Sequence, residues 1–168
     1  MEDLLGPTAV PLQDVLLRTG AAALFGLAVG LDREVRGFSA GVRTHMLVAL
    51  SSAITMLIAI ELQRGLAVEG RGADPTRAIQ GLAQAIGFLC AGVIFVARGA
   101  VHGLTTAASL WMTSALGMAA GAGFMRIALV GVLAAVMVVT VIWLIERLFQ
   151  KSSPAPAPGA YEASKPGD

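Results

Sequence analysis

Residues 87–95 read Gly87-Phe88-Leu89-Cys90-Ala91-Gly92-Val93-Ile94-Phe95, a polar hinge runs from Arg98 to Gly103, and the chain resumes as Leu104-Thr105-Thr106-Ala107-Ala108-Ser109-Leu110-Trp111. Two glycine-bearing apolar segments meet across a small basic loop, with hydroxyls clustered where the second begins. Membrane helix pairs use small residues to bring backbones together and hydroxyls to bond across the contact. The stretch therefore predicts a helical hairpin in a bilayer, with one end of the pair as the working region.

The whole chain agrees with that reading. Of its 168 residues 56% are hydrophobic and only 14% charged, against about 25% charged in ordinary globular domains. So few charges cannot clothe a soluble surface, and the 20 glycines suit close helix packing in lipid. A net charge of +1 provides no basic face for nucleic acid. One cysteine, Cys90, allows no internal disulfide and no multi-thiolate metal site, and its apolar surroundings make it a small packing residue. The opening Met1-Glu2-Asp3 is acidic where a secretory leader needs positive charge, so the expectation is no cleaved signal and a permanent first span.

About 20 apolar residues cross the ~30 Å hydrocarbon core, and five segments qualify: residues 12–31, 45–62, 78–97, 104–125 and 127–145. The expected fold is an all-α integral membrane protein, a bundle of about five transmembrane helices with a disordered C-terminal tail. Residues 1–11 form an N-terminal extension, 12–147 the transmembrane domain and 148–168 a Pro/Ala-rich tail built around Pro154 to Pro158. Asp14 and Arg18, four apart with the acid first, are placed to pair. Lys and Arg number five on one side of the spans and seven on the other, which favours an outside N-terminus and a cytoplasmic C-terminus.

The candidate functional residues gather at the side read as cytoplasmic. Asp32, Arg33 and Glu34 with Arg36 follow the first span, Arg43 and His45 open the second, and Arg98 and His102 lie in the hinge. Two readings stand side by side. These are either helix-end charges that fix topology and snorkel to headgroups, or a polar ring that binds an ion, a phosphate headgroup or a partner protein. Asp32 and Glu34 carry the oxygens magnesium prefers. Two residues apart on a helix they diverge, and the arginines beside them compete, so no metal site is assigned.

In the fourth span Thr105, Ser109, Thr113, Gly117 and Gly121 recur every four residues. Such a ridge of small residues suits close helix crossing, as do Gly26 and Gly30 in the first span; a polar path through the bundle is the other reading. Gln80 and Gln84, or Ser51 and Thr55, are placed to face the ridge. Asp74 with Pro75 forms a helix start before Arg77. No span carries an acid, lysine or histidine near its centre, as ion-coupled transport usually requires. No catalytic constellation and no cofactor motif is present.

Taken together, the blocks Gly30-Leu31-Asp32-Arg33-Glu34, Ala40-Gly41-Val42-Arg43-Thr44-His45, Asp74-Pro75-Thr76-Arg77, Ile86-Gly87-Phe88-Leu89, Ala91-Gly92 and Gly103-Leu104-Thr105-Thr106-Ala107-Ala108 with Trp111 resemble the MgtC/SapB family of bacterial inner-membrane proteins over about residues 26–123. The resemblance implies a five-helix membrane domain tied to growth at low magnesium and, in many members, to virulence. It implies a non-enzymatic protein that modulates another membrane protein such as the rotary ATP synthase, with a magnesium or small-ion transporter as the alternative. A homo-oligomer in the lipid bilayer is compatible with either. Departures are Gly81, where the family often has glutamine, and Ala85 and Cys90, where glycine is usual. The Pro-rich tail also stands where many members carry an ACT-like soluble domain, and functions that need that domain are not expected of this chain.

Overall fold

The structure is a computed structural model and describes residues 8–68, 74–97 and 99–150. Five helices follow one another: α1 (Leu12–Val35), α2 (Val42–Val68), α3 (Thr76–Val93), α4 (Leu104–Gly121) and α5 (Met125–Gln150). A two-stranded antiparallel hairpin, β1 (Phe95–Ala97) and β2 (Ala100–His102), joins α3 to α4. α1, the Val42–Arg64 part of α2 and the Met125–Ile145 part of α5 are long and apolar enough to cross a membrane. α3 and α4 have 18 residues each, which gives them ~27 Å of length, and glutamines or hydroxyls dilute their apolar character.

α4 is the hub. It packs against α2, α1, α3 and α5, while α1 and α2 form the other large contact. One apolar core joins α1, α2, α4 and α5 around Phe25, Val29, Ala49, Ala53, Leu116, Ala120 and Val132. A second joins α2, α3 and α4 around Val48, Ile86, Cys90, Ala107 and Leu110, with Ala40 of the α1–α2 loop tucked into it. The outer faces of α1 and α5 leave Leu16, Leu24, Leu133, Val138 and Ile142 exposed. Apolar surface on that scale needs a lipid solvent.

Small residues set the closest approaches. A Cβ on Gly26 would stand 2.6 Å from the His45 carbonyl oxygen, and one on Gly121 would stand 2.7 Å from Ala53 Cα. The expected Gly-x-x-x-Gly contacts are therefore backbone-to-backbone crossings, α1 on α2 and α4 on α2.

Several sequence expectations are corrected. The first span continues to Val35, so Asp32, Arg33 and Glu34 are the last turns of a helix rather than a loop. The second begins at Val42 and runs to Val68 rather than over 45–62, and the Glu61 carboxylate within it accepts from the amides of Ala9 and Val10 at 2.8 and 2.6 Å. The third stops at Val93 rather than residue 97. The β-branched and aromatic run Val93-Ile94-Phe95-Val96 fits a strand, so the hinge is a hairpin; Arg98 itself lies outside the described residues. Gly103 adopts φ 87° directly against the Val93 carbonyl, a conformation and a proximity only glycine accepts. The fourth span ends at Gly121, where Gly123 (φ 86°) turns the chain into α5, two residues ahead of the expected start. Residues 1–7 of the N-terminal extension and residues 151–168 of the tail lie outside the described residues.

At the opposite end from the hairpin, Asp14 and Arg18 approach to 4.0 Å as the spacing predicts. Arg18 also donates to the Gly121 carbonyl at 3.2 Å, which ties α1 to the α4–α5 turn.

Candidate functional site

Three helices bring polar side chains together at the hairpin end. α1 contributes Arg33 and Arg36 from its last turn and the residue that follows, α2 contributes His45 from its first turn, and α4 contributes Thr106 and Ser109 from its first two turns. Arg33 is 3% exposed and His45 is fully buried. Both side chains thus turn inward against protein rather than outward to solvent as snorkelling side chains do.

The bonds form a connected chain. An Nη2–H of Arg33 donates to Thr106 Oγ1 at 2.8 Å, and the guanidinium lies 3.5 Å from the centroid of the Phe38 ring, a close cation–π contact. His45 Nδ1 donates to the Gly41 carbonyl at 2.9 Å, and Nε2 lies 3.1 Å from Ser109 Oγ. A carbonyl can only accept, so in the neutral ring Nε2 is the acceptor and the Ser109 hydroxyl its donor. The same hydroxyl lies 2.8 Å from the Thr106 carbonyl, so one proton serves two acceptors. Further along, Thr113 donates to the Ser109 carbonyl, and Ser52 of α2 meets Ser114 at 2.9 Å.

The acids do not join this cluster as ligands. Asp32 pairs with Arg36 one turn on. The Glu34 carboxylate accepts from the Val42 amide at 2.8 Å, where it satisfies a free N–H at the start of α2 and complements the positive helix end. Among the described residues no three His, Cys, Asp or Glu side chains group as a metal site. Two buried polar atoms in the described residues keep no partner, Asp32 Oδ2 and Arg33 Nε.

Beside the cluster lies a cavity of about 630 Å³ between α1, α4 and α5. Arg33, Arg36, Phe38 and Trp143 line its hairpin end, and Met112, Ala134 and Val138 are among the apolar residues of its walls. Arg36 donates to the Val139 carbonyl at 3.3 Å and, with Arg147, flanks the Trp143 ring, their guanidinium carbons 4.8 and 5.2 Å from its centroid.

The remaining sequence candidates sit elsewhere. Thr105 is exposed and lines the cavity, while Ser109, Thr113, Gly117 and Gly121 are the buried part of the ridge. Arg43 and Arg77 are exposed. Gln80 and Gln84 are exposed on α3, and Ser51 and Thr55 donate to carbonyls of their own helix; none of the four faces the ridge. Its actual partners are the backbones of Ala49 and Ala53. His102 is exposed and stacks on Phe95, ring centroids 5.3 Å apart, within the hairpin. Cys90 is buried and its thiol donates to the Ala107 carbonyl at 3.1 Å, in keeping with a packing role.

Asp74 caps α3. Its Oδ1 accepts from the Thr76 hydroxyl at 2.7 Å and the Thr76 amide at 2.9 Å. These bonds, with the Arg77 charge nearby, hold the carboxyl below its ordinary range. A depressed carboxylate stabilises the fold fully above its unfolded pKa, and the contribution is lost as pH falls through the lowered value. Asp74→Ala should therefore lower the hydrogen-exchange protection of the Thr76 amide severalfold near neutral pH. The difference from the unsubstituted protein should close in acid; equal protection at neutral pH would refute the cap.

The fold and this site define a polytopic helical membrane protein whose polar centre is built from three helix ends. The sequence pattern of the MgtC family matches residues 20–148, and the chain belongs to that family. It is 34% identical to a YhiD protein of Escherichia coli strain K12, named as a candidate magnesium transporter, over 76% of this chain and 60% of that protein. It is 32% identical to the SapB protein of Bacillus subtilis over 80% of this chain and 60% of that protein. With the MgtC protein of Brucella abortus strain 2308 it shares 36% identity over 83% of this chain and 55% of that protein. The chain thus spans less than two thirds of the length of these relatives. No solved structure matches it significantly.

Proposed function

We propose that this is a non-enzymatic, multi-pass protein of the bacterial inner membrane, N-terminus outside and C-terminus cytoplasmic, that helps cells adapt to low magnesium by modulating another membrane protein. The observation that carries the reading is Arg33, the one side chain of full charge buried in the described bundle. A fixed buried cation raises an electrostatic barrier to a divalent cation, and the hydroxyls beside it are already committed to protein partners. That arrangement suits a rigid recognition element better than a magnesium path. The ATP synthase is the partner the family resemblance offers.

The rival reading, a magnesium transporter, draws support from the name of the YhiD relative and would route the ion past Thr105 and Ser109. Two measurements separate them. Deleting the gene should slow growth at micromolar and not at millimolar magnesium, and the purified protein in liposomes should pass no magnesium above empty vesicles. Unchanged growth across the titration would overturn the magnesium role. Flux reduced by Ser109→Ala would establish the transporter instead.

A further inference from the structure

We propose that the cavity between α1, α4 and α5 is a binding site for an anionic phospholipid, with the headgroup held by Arg33 and Arg36 and one acyl chain laid along the apolar walls. This goes beyond the magnesium reading and does not depend on it.

The cavity has two chemically different ends. At the hairpin end Arg33 and Arg36 line it together with Phe38 and Trp143; the rest is bounded by side chains such as Met112, Val138 and Ala134. Its volume of about 630 Å³ lies within the ~300–1,000 Å³ typical of small-ligand sites. Val138 and Ile142 in the wall are about half exposed, so the cavity is not sealed from its surroundings.

The charges at its mouth do not balance. Asp32 pairs with Arg36 through one oxygen and keeps the other without a partner, but Arg33 has no carboxylate within 4 Å among the described residues. A buried guanidinium with no carboxylate beside it is costly unless an anion completes it. Phosphate is one of the two anionic groups, with carboxylate, that arginine's planar fork matches.

The depth is also right. α1 has 24 residues, or ~36 Å of helix against a ~30 Å hydrocarbon core. Arg33, in the last turn of that helix, therefore falls at headgroup level. Trp143, flanked by Arg36 and Arg147, lies at the same end, where membrane proteins place their interfacial aromatics.

The test uses the full chain in neutral detergent, with lipid binding followed by native mass spectrometry and thermal unfolding. Phosphatidylglycerol and phosphatidylcholine with identical acyl chains are compared, with inorganic phosphate as a third probe. Phosphatidylglycerol should bind about tenfold or more tightly than phosphatidylcholine, the size of one charge-assisted hydrogen bond. The preference should vanish in Arg33→Gln. Ala134→Phe, which fills the cavity from α5 and leaves the Arg33–Thr106 bond in place, should lose the bound lipid and keep its fold, so the proposal stands or falls even where Arg33→Gln does not fold. Equal binding of the two lipids would overturn it. So would stabilisation by inorganic phosphate equal to that by phosphatidylglycerol, which would make the site one for free anions. Self-association abolished by Ala134→Phe, without a lipid preference, would assign the cavity to a second copy of the chain.

Discussion

Gly117→Ala should destabilise the protein by about 2 kcal/mol or more, and Gly117→Leu should fail to accumulate as folded protein. Overpacking a well-filled interior costs ~1–3 kcal/mol when side chains can rearrange. Here they cannot, because the obstruction is main chain. A Cβ on Gly117 would meet the Ala49 carbonyl and stand 2.9 Å from Ala49 Cα. Four residues on, Gly121 repeats the contact with Ala53, so α4 and α2 touch at two successive rungs and neither can tilt to relieve the other. Separating them would also pull Ser109 away from His45, whose 3.1 Å contact spans the same helix pair. Gly81 supplies the control: it is helical, and nothing lies within 4 Å of the place a Cβ would take there. Gly81→Ala should be neutral or stabilising by up to ~1 kcal/mol from helix propensity alone. Unfolding titrations of the two variants in mixed detergent decide the matter; equal stability would show that the α2–α4 crossing is not set by glycine.

The four-residue spacing of small residues makes this crossing legible in the sequence, because a helix repeats its face at that interval. It reveals one row only. α4 is buried around most of its circumference, with Leu110, Ser114, Leu116 and Ala120 as inaccessible as the ridge itself, and the Ser52–Ser114 bond lies on a row the spacing does not single out. Arg33 and His45 stand out in the sequence as residues but not as buried ones. A basic side chain near a helix end reads as snorkelling, and only the partners decide otherwise: Phe38 five residues ahead and Thr106 far along the chain. His45 reads as an edge residue when α2 is started there; beginning the helix at Val42 puts it a turn inside. The hairpin is hidden by its own hydrophobicity, since an apolar run such as Val93 to Ala97 fits a helix end or a strand equally. The glycines at 99 and 103 are the available turn signal. The cavity is not legible at all, because α5 carries no polar marker on the face that closes it.

Thr106→Val should cost about 1.5–3 kcal/mol, although it exchanges one hydroxyl for a methyl of nearly the same size. The reason is the guanidinium it strands. Arg33 Nη2 donates to Thr106 Oγ1 at 2.8 Å, Nε already lacks an acceptor, and the Phe38 ring covers a face of the group. Removing the hydroxyl leaves a second donor of a buried cation unsatisfied, and hydrogen bonds to charged groups are worth ~1.5–3 kcal/mol. Thr105→Val makes the same chemical change one residue away on an exposed side chain, and should lie within ~0.5 kcal/mol of the parent. The sharper result is the double substitution. Arg33→Met removes the charge with a side chain of similar reach, so Thr106→Val added to it should cost almost nothing, giving a coupling of about 1–2 kcal/mol between the two sites. Additive losses would mean that Thr106 stabilises the bundle through packing alone. Coupling of the expected size would establish that the hydroxyl is there to hold a buried positive charge in place, at the point where α1, α2 and α4 meet.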